Sequence, residues 1–98
     1  MIWPFPDSPE TISFSTKQVM TGTDPILLVT HDEPEGSWQF IGGPWEKGDL
    51  VTVCLRHAME LDQTVAELAD LPRGWGAERA GAKEPWRRYP LPPEDEAQ

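Results

Sequence analysis

Only one cysteine, Cys54, occurs in these 98 residues. An intramolecular disulfide framework is therefore excluded, and the fold has to stand on its core in a reducing compartment. Long apolar runs are also missing: no uncharged window approaches transmembrane length, and residues 1–7 show no basic segment leading into an apolar one. The chain reads as a soluble, cytoplasmic protein. Basic residues are scarce, 8 against 17 acids, and the formal charge of −9 repels phosphate backbones and anionic lipid at long range. Direct nucleic-acid and membrane contact are excluded as primary roles. There is no G-x-S-x-G elbow, no Walker loop and no G-x-G-x-x-G, so no catalytic residue and no cofactor is predicted.

What the chain does have is tryptophan. Five of them (Trp3, Trp38, Trp45, Trp75, Trp86) offset a modest 38% of hydrophobic residues, because each indole buries far more area than a valine. Charge is also segregated. Residues 1–55 hold two lysines against eight acids, whereas residues 73–88 hold five bases against two acids. The molecule is expected to have an acidic side and a basic tip.

Pro4, Pro6 and Pro9 make residues 1–10 an extended arm. Residues 11–16 alternate apolar with hydroxyl side chains, as a half-buried strand does. Residues 26–30 form a continuous apolar run expected of a central strand, and after the turn residues 32–36 a third strand resumes at 37–41. Apolar positions Val51, Cys54, Leu55, Ala58 and Met59 fit helical spacing with Thr52 as N-cap, although Val51-Thr52-Val53 also fits the end of a strand. Asp62 caps a second short helix whose Val65, Leu68 and Leu71 face inward, and Pro72 with Gly74 stops it. A hairpin pairs roughly 75–80 with 85–89, turning at residues 81–83. The fold class is α+β: a small antiparallel sheet, built from an N-terminal three-strand meander and a C-terminal hairpin, with two short helices over about 52–71. Residues 11–89 form one domain, and residues 90–98 read as a disordered acidic tail.

Three constellations invite a chemical role. His31, Asp32 and Glu33, with Glu35 nearby, put an imidazole and three carboxylates at a strand-to-turn boundary, but ligands from a second element are wanting and a solvated turn is favoured over a metal site. Cys54 and His57 share a helical face, half of a zinc site or a thiolate–imidazole pair; inert packing is favoured. The third is the hairpin set of Trp75, Arg79, Trp86, Arg87 and Arg88, since Trp and Arg dominate interface hot spots. In a hairpin one face covers the core, so Trp75 and Ala77 are expected to pack while the arginines are exposed and pair with Glu78 and Glu84.

The order of short patterns carries a resemblance. A strand hairpin closes on Gly36-Ser37-Trp38-Gln39-Phe40, a helix leads into Glu60-Leu61-Asp62, and Leu71-Pro72-x-Gly74-x-x-Ala77-x-Arg79 precedes Trp86. Over residues 12–89 this resembles small bacterial proteins similar to the immunity protein family thirty-three domain of polymorphic toxin systems. The resemblance implies an inhibitor role with no catalytic residue; most matched positions read as structural.

The functional expectation is a small acidic protein that neutralises or regulates a protein partner with a basic surface, either as an immunity-type inhibitor or as a nucleic-acid mimic filling a cationic groove. Asp24, Asp32, Glu33, Glu35, Glu46 and Asp49 are the candidate acidic face, and Arg79, Trp86, Arg87 and Arg88 the candidate hairpin contact. Alternatives are a metal or enzymatic role for His31, Asp32 and Glu33 or Cys54 and His57, and an accessory subunit docking through the Trp/Arg hairpin. The oligomeric state is left open.

Overall fold

A computed structural model of the chain describes residues 3–33 and 35–92. Six strands and two α-helices follow in the order β1 (Ile12–Thr16), α1 (Lys17–Met20), β2 (Leu28–His31), β3 (Trp38–Ile41), β4 (Leu50–Cys54), α2 (Leu55–Leu61), β5 (Trp75–Glu78) and β6 (Arg87–Pro90), with 3-10 turns at Lys47–Asp49 and Gln63–Leu68. The fold is α+β, and all six strands join one sheet in the order β4-β1-β3-β2-β5-β6.

The N-terminal strands do not form a simple meander. β2 and β3 are the expected antiparallel hairpin, pairing Leu28 with Ile41 and His31 with Trp38, but β3 lies between β2 and β1 and runs parallel to β1. The sheet is thus mixed. A parallel pair cannot be closed by a tight turn, and α1 with residues 21–27 and β2 supplies the crossover. Residues 51–54, compatible with helix or strand, are strand: β4 pairs with β1 over five positions, from Ile12 opposite Cys54 to Thr16 opposite Leu50. Pairing with β1 and the β-branched Val51, Thr52 and Val53 decide the contest. The helical spacing survives from Leu55 onward, where Leu55, Ala58 and Met59 are buried as the period requires.

One sheet face is the core face. Val29, Trp38, Phe40 and Ala77 project from it against Leu55, Ala58, Val65, Leu68 and Leu71, all at most 2% exposed. At about 25 cal/mol per Å², burying each large side chain contributes roughly 1.5–3 kcal/mol. The proline-rich arm belongs to this core as well. Phe5 is buried edge-on to Trp38 at 5.2 Å, and the arm is fastened by Asp7, whose carboxylate accepts the Trp38 indole N–H at 2.8 Å while its carbonyl accepts that of Trp3 at 2.6 Å. Pro90, expected in the tail, closes β6, and Leu91 donates to the Gly74 carbonyl at 2.7 Å. The remainder of the acidic tail, residues 93–98, lies outside the described residues.

Candidate functional site

Strand direction decides where the carboxylates go. β2 and β3 run opposite ways, so Asp32, Glu33 and Glu35, in their connection, sit at one end of the sheet, the turn end. Asp24 precedes β2 and Glu46 and Asp49 precede β4, whose first residue, Leu50, pairs with the last residue of β1. These three therefore lie at the opposite end, a strand length of roughly 10–13 Å away. The six acids that the sequence groups as one face are two clusters.

The far cluster is largely occupied by its own backbone. Asp24 accepts the Gly43 N–H at 3.3 Å. Asp49 accepts the Glu46 N–H at 3.0 Å and the Gln18 amide at 2.9 Å, and these bonds, Gln18 first, hold its carboxyl below the usual aspartate range. Glu46 is exposed, as is Trp45 beside it.

The turn end is built from two interlocked loops. Gly36 and Gly74 both have positive φ, 77° and 83°. Each lies under a side chain of the other loop: a Cβ on Gly36 would fall 2.7 Å from the Arg73 Nε, and one on Gly74 would fall 3.3 Å from the Glu33 Cγ. Gly74 donates to the His31 carbonyl at 2.7 Å, and Gly36 to that of Asp32 at 2.8 Å. Glycine at these two positions supplies the left-handed backbone and admits the neighbouring side chain. Asp32 is half-buried, and desolvation raises its pKa against the opposing influence of Thr30, of His31 and of the Gln39 amide 3.0 Å away. Glu33 and Glu35 stand exposed.

His31 does not face this carboxylate cluster as a ligand would. Its ring stacks on Trp38 at a centroid distance of 3.9 Å, and its Nδ1 lies 2.7 Å from the Leu71 carbonyl, which can only accept, so Nδ1 carries the proton. Among the described residues no three His, Cys, Asp or Glu side chains converge to hold a metal ion. Cys54 is half-buried at the end of β4 and His57 is exposed on α2. Among the described residues neither joins a larger cluster of His, Cys, Asp or Glu.

The hairpin reverses the expected order of exposure. Trp75, expected to pack, is 37% exposed at the turn end, beside the locked loops. Arg79, expected outside, is buried: Nε and Nη2 both donate to the Ile26 carbonyl at 3.0 and 2.8 Å, Nη1 donates to Thr64 at 3.0 Å, and Nη2 meets the Asp62 carboxylate at 2.5 Å. Its guanidinium also lies 4.1 Å above the half-buried Trp86 ring. Arg79 and Trp86 thus tie the hairpin to the body. Asp62 is the N-cap expected of it, accepting the Thr64 N–H at 3.0 Å. Burial alone would raise its pKa, but the Thr64 bonds and the Arg79 guanidinium outweigh that and hold it low. Arg87 and Arg88 are exposed, paired with Glu78 at 2.9 Å and Asp70 at 2.6 Å. The sequence places Trp75 in the hairpin contact set but favours packing for it; the signal for its exposure was its place immediately after the Pro72/Gly74 turn.

What the turn end offers is a rigidly held, exposed indole beside two exposed carboxylates. Searches against protein-family models, curated proteins and solved structures returned no match. Among the described residues no helix is long and apolar enough to cross a membrane.

Proposed function

We propose that this chain is a small acidic binding protein that neutralises or regulates a basic protein partner, in the manner of an immunity-type inhibitor, and that it engages that partner through the turn end. The observation that carries this reading is Trp75. It is the one of the two hairpin indoles that stands exposed, and its strand neighbour in register is the buried His31, so its backbone is held within the sheet and not on a free loop. Interface anchors are commonly aromatic side chains on a fixed scaffold with charged groups around them. Glu33 and Glu35 supply that rim, and the overall charge of −9 supplies long-range attraction toward a cationic surface. The interlocked glycines favour the same reading, because a preorganised loop loses little entropy on binding.

Capture from a lysate of the native host, followed by kinetics on the recovered partner, tests the proposal. Trp75→Ala is expected to weaken the complex by about 2 kcal/mol or more, mostly through faster dissociation. Glu33→Gln with Glu35→Gln is expected to slow association and flatten its dependence on salt. Unchanged kinetics in both variants would remove the turn end from the interface.

A further inference from the structure

The two edges of the sheet are guarded very differently. β6, at one edge, carries Arg87, Arg88 and Pro90, charged side chains and a residue without a donor, which are the usual protection against another strand adding on. β4, at the other edge, reads Leu50-Val51-Thr52-Val53-Cys54: no charge, no proline, no glycine, and three β-branched residues in a row. Its backbone polarity can be assigned. Leu55 donates to the Thr11 carbonyl at 3.0 Å and the Val53 carbonyl accepts the Ser13 hydroxyl at 2.7 Å, so Val51, Val53 and Leu55 turn their backbone groups toward β1. The C=O of Leu50, both backbone groups of Thr52 and the N–H of Cys54 then point away from the sheet and are open to another strand, whereas the Leu50 N–H turns back to the Lys47 carbonyl and the Cys54 C=O, at the N-cap of α2, takes the first bond of that helix.

We propose that β4 is a self-association edge, on which a second copy of this chain adds its own β4 antiparallel across a twofold axis at Thr52, joining two six-stranded sheets into one continuous sheet. The argument for a second copy, and not a peptide of another protein, is self-complementarity. About Thr52 the register sets Leu50 against Cys54, Val51 against Val53 and Thr52 against Thr52, so every cross-strand pair is apolar or hydroxyl-bearing and no like charges meet. The open outward groups are the ones that this register pairs, about four backbone hydrogen bonds in all: two between the Thr52 residues and two from a Cys54 N–H to the Leu50 carbonyl of the other copy. The flanks bring little opposition. Glu46, Lys47 and Asp49 before the strand carry one net negative charge, and Arg56 after it pairs with Glu10 at 3.5 Å, so antiparallel addition sets a neutral ion pair of each copy beside the weakly acidic end of the other. A chain of charge −9 repels its own copy over most of its surface, and β4 is an uncharged stretch where approach brings no such cost. An isologous contact of this kind closes at two subunits.

Sedimentation equilibrium of the full chain from micromolar to millimolar concentration tests this directly. The expected mass moves from 11.0 kDa toward twice that value with concentration. Thr52→Lys, at an exposed position, places two ammonium groups face to face on the axis and is expected to weaken the dimer at least about tenfold while the far-ultraviolet spectrum of the monomer stays as it was. Leu50→Cys gives the register its own readout. Directly opposed hydrogen-bonded residues have Cα atoms about 5.5 Å apart, within the span a disulfide bridges, so mild oxidation is expected to link the thiol introduced in one copy to Cys54 of the other, while the unmodified chain stays unlinked. A mass of 11.0 kDa at every concentration overturns the proposal. So does a dimer indifferent to Thr52→Lys, or one that Leu50→Cys fails to cross-link.

Discussion

Arg79 and the pair Arg87 and Arg88 belong to one hairpin, share one side-chain chemistry and do different work. Arg79 has a side chain only 1% exposed, with its donors divided between a carbonyl, a hydroxyl and a carboxylate. Arg87 is 71% exposed and its Glu78 partner 46%; Arg88 is 36% exposed against an Asp70 that is 81% exposed. A buried guanidinium is tolerated only when nearly every donor is matched, and then removing any partner leaves a desolvated charge. An exposed pair trades water for a carboxylate at little net gain. The difference teaches that the basic tip is two objects: a fastener inside, and a decorated strand outside that is free to contact something else.

Deleting the fastener is expected to have the largest effect. Arg79→Ala removes the bonds to Ile26, Thr64 and Asp62 and the contact with Trp86 at once, and a loss of roughly 3–5 kcal/mol is expected in denaturant unfolding. That is a large share of the stability of so small a domain. Arg79→Lys keeps the charge but cannot bring two donors to one carbonyl, so it is expected to recover less than half of the loss. Full recovery by lysine would mean that charge alone, not the fork geometry, holds the hairpin.

Much of this frame is legible in local chemistry alone. Asp62 as a cap, the β2–β3 hairpin and the closing hairpin each follow from neighbouring residues, and each is present in the fold, whereas the helix after Asp62 is a 3-10 helix that ends at Leu68, ahead of the expected stop at Pro72 and Gly74. The other failures have a common cause in long-range pairing. Whether residues 51–54 are helix or strand depends on β1, forty residues earlier, because their apolar spacing satisfies both. The insertion of β3 beside β1 has no local signature either, and it is that insertion, with the direction of β3, which sends Asp32, Glu33 and Glu35 to one end of the sheet and Asp24, Glu46 and Asp49 to the other. Arg79 looks like any hairpin arginine until the Ile26 carbonyl and Asp62 are seen to reach it.

The acid side of the fastener gives a second, smaller effect with a sign that can be checked. Asp62 has a folded pKa below its ordinary 3.8, so its contribution is complete above that value and is lost as pH falls through the folded value. Asp32 is shifted the other way. Its folded pKa lies above 3.8, so protonation favours the folded chain and stability is given up as pH rises through the folded value. Asp62→Asn is therefore expected to lower the midpoint of thermal unfolding at pH 7, by roughly 1–3 kcal/mol in stability, and to flatten the acid limb below about pH 4. Asp32→Asn is expected to leave stability at pH 7 unchanged or slightly higher. If both variants shift in the same direction at pH 7, the opposition between a paired and a desolvated carboxylate does not hold.

The outer arginines provide the smallest expected change. Arg88→Ala gives up bonds to Asp70 and to the Glu67 carbonyl at 2.8 Å, and Arg87→Ala gives up Glu78 and the face of Tyr89 at 5.6 Å. Each is expected to cost about 0–1 kcal/mol, less at high salt, because exposed ion pairs are screened. Arg88 is expected to cost the more of the two. Its carbonyl contact anchors β6 to the 3-10 helix Gln63–Leu68, whereas Arg87 only bridges neighbouring strands. The Arg88 carboxylate bond also holds Asp70 below the usual aspartate range, so nuclear magnetic resonance titration of Asp70 in Arg88→Ala is expected to show its pKa rise toward 3.8. An Asp70 titration untouched by that substitution would mean that the pair does not persist in solution, and the outer strand would then be the more available to a partner.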